Sequence, residues 1–367
     1  MMDELDLITK TAAEFCSRHG GAEVLRQRRA SQPDDSLLFQ ACVEQGFSGV
    51  GLGSEFGGMD LGWQGLSTLL VEGGKQLIEL PILSAIQLPV ETLMACPKGD
   101  LREDLIRRLG QGDVRSAVAW QSNQSYPSPY EPEVMAERSN GHWVLSGSSS
   151  LVLGAVSADG VLVSARSEQG LMIAWVDASN PRLKVRAQNL MDHRNCAQVE
   201  LNQVQIDDAL VVAQGQDAQL ALDRLLDAGR LGLAAQMVGG AQASFDQTLD
   251  YLKTRRQFGA AIGSFQALQH RIAEVFVRLQ LAQAALRIGV AQFGSGGVER
   301  ARSAALAKAQ CGAAYLIAAK EGVQMHGGIG VTDEHDIGFH LKSAQVGNAL
   351  FGDVSSCRSV WAALAGY

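Results

Sequence analysis

The sequence predicts a mainly α-helical protein with a β-rich domain in its middle. Three observations carry this reading. Apolar residues recur at helical spacing over roughly the first third of the chain. Alternating and β-branched runs replace them between about 116 and 212, and long helical periodicity returns from there to the end. The boundaries that follow are an N-terminal helical domain at 1–115, a middle β domain at 116–212 and a C-terminal helical bundle at 213–367. A doubly wound α/β sheet is excluded, because it needs strands interleaved with helices throughout.

Each element has its own signal. Leu5, Ile8, Ala12 and Phe15 mark a first helix, and Leu37, Phe39, Ala41, Val43 and Phe47 a looser one; breaks fall at residues 31–35, 51–58 and 96–100, where turn formers cluster. In the middle region, strands are expected around 152–153, 161–164, 172–176 and 199–206. The best local signal is Asn140-Gly141, since a type I′ hairpin turn needs positive φ at both central residues. A second turn is expected near Gly147. Beyond it, Leu222, Leu225 or Leu226, Leu233, Val238 and Leu249 mark one long helix, and Leu268, Ile272, Val275, Leu279, Ala282 and Leu286 the next. The glycine-rich residues 294–297 end that helix. A further helix over about 298–325 leads into a glycine-rich loop, and a final helix reaches Tyr367.

Composition narrows the function classes. The chain has 367 residues, 46% of them apolar and 19% charged, which fits a soluble protein with a large core and excludes a disordered chain. Formal charge is −8 with no extended basic run, so no nucleic-acid partner is expected. The six cysteines form no C-x-x-C pair and have no histidine at finger spacing. They are expected to be reduced, buried thiols, with no metal. The acidic, amphipathic start lacks the pattern of a secretion signal, and no stretch approaches the ~18 to 20 apolar residues of a membrane span. A cytoplasmic location is the expectation.

Two segments carry a chemical signal. The first runs from Thr254 to Gln266 and includes Arg255, Arg256, Gln257, Phe258 and Gly259 between two long helices. By itself it reads as a helix C-terminus with cations against the dipole, followed by a turn. The second runs from Gln324 to Thr332 through His326, Gly327, Gly328 and Gly330. Bare glycine amides let a backbone approach a phosphate closely, but no strand precedes this loop, so it is not a dinucleotide-binding fingerprint.

Taken together with the domain order, these segments resemble the acyl-CoA dehydrogenase family along essentially the whole chain. Further matches are the stretch from Ser54 to Gly58, the R-x-Q-F-G-x-x-I-G-x-F-Q string from Arg255 to Gln266, and Gln324 through Gly330 followed by Thr332. The resemblance implies an N-terminal helical domain, a β-sandwich or barrel, and a C-terminal four-helix bundle. It implies FAD shared across a subunit interface. Arg255 then matches a pyrophosphate contact, Gln257 and Phe258 match neighbouring contacts to the flavin nucleotide, and Gln324, Gly327 and Gly328 match the loop receiving the adenosine half. A guanidinium fork and bare amides suit a diphosphate dianion. On the flavin side the family's Thr-Glu-Pro-like turn is replaced by Gln121, Ser122 and Asn123, and its Trp-Ile-Thr-like strand by Leu151, Val152 and Leu153. Gln121 retains a hydrogen-bonding side chain, whereas Leu153 has no hydroxyl. Trp120 or Trp143 is a compensating flavin contact or a core residue.

The family reaction implied is α,β-dehydrogenation of an acyl-CoA thioester, in which a glutamate takes the α proton. Counted from Gly327-Gly328, the common glutamate position falls on Phe351; the alternative falls on Gly229, and a third, two helical turns later, on Gln236. All three are uncharged. Asp353 is the remaining candidate base, against a reading as a cap or surface residue. Asp227 and Arg230 match an Asp-x-x-Arg pair near the substrate. His326, His335 and His340 offer no convincing base, and His335 and His340 are expected to be exposed or interfacial. Three readings stand: an active dehydrogenase with a displaced base; a catalytically silent partner completing the FAD site of a glutamate-bearing paralogue, similar to small subunits of bacterial heteromeric enzymes; and an oxidase or monooxygenase on the same fold. The implied partners are an acyl-CoA, a second copy or a paralogous subunit in a tetramer, and an electron-transfer flavoprotein. Whether the substrate is a fatty-acyl or a steroid side-chain thioester is open.

Overall fold

A computed structural model describes residues 4–29, 31, 33–123 and 128–367. Residues 1–3 of the amphipathic start and Gln32 in the expected break at 31–35 lie outside the described residues. The chain begins with helices α1 (Glu4–His19), α2 (Ala22–Arg28), α3 (Ser36–Glu44), α4 (Gly62–Lys75), α5 (Leu88–Met94) and α6 (Asp100–Gln111). Strands β1 (Ser116–Ala119), β2 (Met135–Ser139), β3 (His142–Leu153), β4 (Gly160–Ser167), β5 (Gly170–Asp177), β6 (Leu183–Ala187), β7 (Cys196–Ile206) and β8 (Val211–Gln214) follow. The long helix α7 (Gly215–Thr254) leads to two short strands, β9 (Arg256–Gln257) and β10 (Ala260–Ala261). Helices α8 (Gln266–Gln292), α9 (Gly297–His326), α10 (Ile337–Ala349) and α11 (Val354–Leu364) complete the chain. This is the helical, β, helical order expected from the sequence.

Two compact units can be described separately. One comprises residues 28–62 and 80–228 and contains the sheet. Its strands run in the order β6-β7-β3-β2-β4-β5-β8, with β1 lying parallel on β4. The β2–β3 hairpin turns at Asn140 (φ +52°) and Gly141 (φ +85°), with Ser139 opposite His142, as the Asn-Gly signal predicts. The turn expected at Gly147 is instead continuous strand within β3; the bulge lies opposite it in β7, where a step of three residues from Val204 to Leu201 faces a step of two from Leu145 to Gly147 and Gln203 has φ +57°. A β-carbon at Gly147 would lie 2.6 Å from the Glu133 carbonyl oxygen and its φ is +136°, so only glycine fits. Inward-facing Trp143, Leu145, Val161, Val163, Met172, Ala174, Val199 and Val204 form the core of this unit. Helix α3 is tied to the sheet through buried Asp35, whose carboxylate accepts from Ser157 Oγ (2.6 Å) and Asn195 Nδ2 (2.8 Å). A π-helical turn over Leu83–Gln87 runs straight into α5.

The other unit comprises residues 1–27, 63–79 and 229–367 and is helical apart from the β9–β10 hairpin. In α1 the buried residues Ile8, Ala12, Phe15 and Cys16 form one stripe, with acids in the first turn and bases in the last, as the dipole favours. Helices α4 and α7 meet backbone to backbone. A β-carbon at Gly74 would lie 2.0 Å from the Gln236 carbonyl oxygen, and one at Gly239 2.0 Å from that of Val71. The single final helix expected from the sequence is two helices. Leu350 leaves the helical region, Phe351 (φ +56°) and Gly352 (φ +94°) are left-handed, and Asp353 caps the new helix by accepting from Ser356 N at 2.7 Å. All six cysteines are buried and free. No described helix is long and apolar enough to cross a membrane, and no described group of three or more His, Cys, Asp or Glu residues has the geometry to hold a metal.

Candidate functional site

The Arg255 segment folds as a small projecting hairpin. Arg255 follows the last turn of α7, its amide donating to the Tyr251 carbonyl at 2.8 Å, and its own carbonyl accepts from Ile262 N at 2.9 Å. Gln257 pairs with Ala260 and Arg256 with Ala261 across a tip formed by Phe258 (φ +53°) and Gly259 (φ +80°). The left-handed conformation costs a non-glycine residue roughly 1 to 2 kcal/mol, and here it is spent on a phenylalanine that is 92% exposed. Arg255, Arg256 and Gln257 are exposed as well.

The glycine loop starts where α9 ends. A β-carbon at Gly327 or Gly328 would meet nothing within 4 Å, so both backbones face open space, while one at Gly330 would lie 2.7 Å from the Val323 carbonyl oxygen. The first two glycines therefore leave the loop bare, and the third serves packing. Gln324 is exposed one turn earlier. His326 is buried with Nδ1 at 2.7 Å from the Gly322 carbonyl, which must accept, so Nδ1 carries the proton and Nε2 is a buried atom without a partner. Burial holds its pKa below the ordinary value, and nearby His335 pushes the same way.

Tyr251, which the sequence reading passed over, joins the two segments. Its ring stacks on His326 at 4.2 Å, its hydroxyl donates to the His326 carbonyl at 3.4 Å, and its carbonyl receives the Arg255 amide. The available signal was an aromatic residue on the last turn of α7, four positions before Arg255. His335 is half-buried, its Nδ1 accepting from Ile337 N at 3.2 Å. The expectation of an exposed or interfacial His340 is corrected: it is buried, 3.0 Å from the Tyr315 hydroxyl, and desolvation pushes its pKa down to about 4.

In the sheet unit, Gln121 is half-buried just beyond β1. Its carbonyl accepts from Ser149 Oγ at 2.8 Å and Ser150 N at 3.0 Å, and the Ser122 carbonyl accepts from Ser150 Oγ at 3.1 Å. Leu151 is left-handed (φ +52°), its amide donating to Gln188 Oε1 at 2.9 Å. Leu153 is buried. Trp143 is a core residue whose indole N–H donates to Asp208 at 2.9 Å, while Trp120 is half-buried.

Two of the three positions counted for a base, Gly229 and Phe351, meet in space. A β-carbon at Gly229 would lie 2.3 Å from the Phe351 ring, so the ring fills the volume a side chain at 229 would need. Gln236 is buried with Oε1 lacking a partner. Asp353 is exposed and committed to its cap, and the Ser356 amide holds its carboxylate below the usual range. That depression makes it a weaker proton acceptor. Asp227 is buried, and half-buried Arg230 donates through Nε to the Phe351 carbonyl at 3.4 Å.

Lys308 is the residue here that the sequence reading missed. It is 1% exposed in the middle of α9, and its Nζ donates to the carbonyls of Asn348 (3.2 Å) and Gly352 (2.9 Å). Its signal was a lysine set among alanines at a core-facing position. Desolvation lowers its pKa from 10.5 to about 8. Between those values the unfolded chain holds a proton that the folded chain releases, so this group makes stability rise with pH over that window. The expected result is a urea midpoint that climbs between pH 8 and 10 more steeply in the native chain than in Lys308→Met. Equal slopes would show that the lysine is not titrating there.

The helical, β, helical arrangement is the fold of acyl-CoA dehydrogenases. It is shared over 99% of this chain and 97% of the other with the solved Tcur3481-Tcur3483 steroid ACAD G363A variant (TM-score 0.87, 25% identity), and over 100% and 99% with the ChsE4-ChsE5 complex from Mycobacterium tuberculosis (TM-score 0.88, 22% identity). The acyl-CoA dehydrogenase C-terminal domain matches residues 218–362. Among relatives, acyl-CoA dehydrogenase IpdE2 of Mycolicibacterium smegmatis is 27% identical over 96% of both chains. The chain is thus similar to acyl-CoA dehydrogenases along almost its whole length, and its residues 218–362 match their C-terminal domain.

Proposed function

We propose that the chain works in FAD-dependent α,β-dehydrogenation of an acyl-CoA thioester, as an enzyme or as a subunit of a heteromeric enzyme. The observation that carries this reading is the meeting, on the two sides of Tyr251, of the Arg255 hairpin and the bare Gly327-Gly328 backbone. An exposed guanidinium and glycine amides facing open space fit a diphosphate: both supply donors and neither fills the volume the phosphates need. Arg255 would hold the pyrophosphate, Gln257 and Phe258 would border the nucleotide, and Gln324, Gly327 and Gly328 would receive the adenosine half. Gln121 would face the flavin edge. When bound, FAD supplies the hydride acceptor, and an electron-transfer flavoprotein takes the electrons onward.

Asp227 and Arg230 are the substrate-side residues of this reading, and Asp353 would be its displaced base only on release from its cap on the Ser356 amide. A second reading, in which the chain completes the site of a glutamate-bearing paralogue, rests on the Phe351 ring packed over Gly229. In either case the reading has the chain act in an oligomer; the exposed Phe258, Arg255 and Arg256 of the hairpin support it as a surface that a neighbouring subunit would cover.

The test is FAD retention. Losing a charge-assisted contact of ~1.5 to 3 kcal/mol, Arg255→Ala is expected to bind FAD about 10- to 100-fold more weakly, measured as flavin per polypeptide after gel filtration of the assembled oligomer. Undiminished flavin content would sink the assignment of Arg255. Purification with and without a glutamate-bearing paralogue separates the two readings. A fully loaded, active homo-oligomer supports the first, and activity only in a mixed oligomer supports the second.

A further inference from the structure

Lys308 is a buried cation that neither the proposed FAD contacts nor the proposed substrate contacts use, and its surroundings give it a task. Its ammonium lies between the last carbonyls of α10 and the start of α11, bonded to Asn348 O and Gly352 O. Those two acceptors are the two ends of the turn at 348–352, whose two left-handed residues are Phe351 and Gly352. The same turn is held from α7 by Arg230, which donates to Phe351 O, and from α11 by Cys357, whose Sγ lies 3.5 Å from Gly352 O. Asn348 closes it from the other side by accepting from Val354 N at 3.1 Å. A buried ammonium is expensive, and here it is satisfied by carbonyls alone at the break between α10 and α11.

We propose that Lys308 is a positioning residue: its ammonium clamps both ends of the turn and so holds the Phe351 ring against Gly229, fixing the wall of the site where the thioester's α carbon is handled. The part concerning the thioester rests on the proposed function; the clamp itself does not. The charged and titratable groups facing the ammonium are Arg230 on α7, Cys311 on its own helix, Asp353 in the turn and Cys357 on α11. Arg230 opposes its charge and Asp353 favours it. Charge-assisted bonds to carbonyls are stronger than neutral ones, so loss of the proton weakens the clamp while leaving the amine in place. The folded chain as a whole is not destabilised by that loss, because burial already disfavours the charged form. A merely structural lysine would not separate these two responses.

The experiment combines hydrogen exchange with ligand binding. In Lys308→Met, amides of 350–357 are expected to lose protection at least tenfold, with the middle of α9 unchanged, and the affinity for octanoyl-CoA in the FAD-loaded oligomer is expected to fall about tenfold. Unaltered exchange in 350–357, or losses spread evenly over the helical unit, overturns the clamp. Should Lys308→Met fail to fold, the native protein decides by itself. Exchange in 350–357, corrected for its intrinsic pH dependence, and octanoyl-CoA affinity should both inflect near pH 8 while overall stability does not fall. A flat profile in the turn overturns the proposal. Absence of octanoyl-CoA binding at every pH counts against the proposed function and the substrate-wall role, and the exchange data still decide the clamp.

Discussion

Phe351→Glu is expected to raise the rate of acyl-CoA dehydrogenation by the purified, FAD-loaded chain by about 10²- to 10⁴-fold, the usual worth of a general base. Phe351 occupies the position where the family resemblance places the glutamate, and its ring fills the volume over Gly229. Exchange for a smaller carboxylate vacates part of that volume, and Gly229 adds no side chain of its own. The new carboxylate would be buried, which raises its pKa toward the range useful for proton abstraction, with Arg230 near enough to keep it ionisable. Turnover with an artificial electron acceptor is the measurement. A native chain that already turns over at enzyme-like rates, and a slower Phe351→Glu variant, would mean that the proton goes to another residue and that the Phe351 ring has a different purpose.

Gly239→Ala is expected to cost about 3 kcal/mol or more, among the largest single-residue effects in the helical unit. Its β-carbon would lie 2.0 Å from the Val71 carbonyl oxygen, a backbone atom that moves only if helix α4 moves. Gly74→Ala meets the same obstacle from the opposite side, against the Gln236 carbonyl. Overpacking a rigid contact usually costs ~1 to 3 kcal/mol, and contact with backbone on both partners places these two at the upper end or beyond it. Gly297→Ala is the control, since nothing lies within 4 Å of its β-carbon and it opens α9. Urea unfolding should show a neutral or slightly stabilised Gly297→Ala beside a strongly weakened Gly239→Ala. Equal midpoints for the three variants would mean that α4 and α7 separate freely.

Much of this architecture is legible along the chain because it rests on local physics. Helical and strand periodicities differ, so the change of texture near 116 and its reversal near 213 mark where the strands of the large sheet, from Ser116 to Gln214, begin and end. Asn140-Gly141 forms its hairpin because those two residue types adopt positive φ most easily. The Arg255 and Gly327-Gly328 segments stand out because a cation after a helix and bare glycines in a loop have chemistry of their own. Their separation by some seventy residues hid the residue joining them, since an aromatic at the end of α7 looks like any other.

What the sequence determined by itself, then, was the kind and order of the elements, and the residue types available to a diphosphate. The tertiary structure alone decided the rest. Gly147 stayed within β3, opposite a bulge in β7, at a point where the Glu133 carbonyl leaves no room for a β-carbon. The last helix broke at Phe351 and Gly352, where Lys308 and Arg230 supply donors for the turn's carbonyls, and two positions over a hundred residues apart, Gly229 and Phe351, came to occupy one volume. His340 went inside against Tyr315. Each of these outcomes depends on which atom from a distant part of the chain arrives beside a residue, and excluded volume, hydrogen-bond satisfaction and desolvation act on that arrival and not on spacing along the sequence.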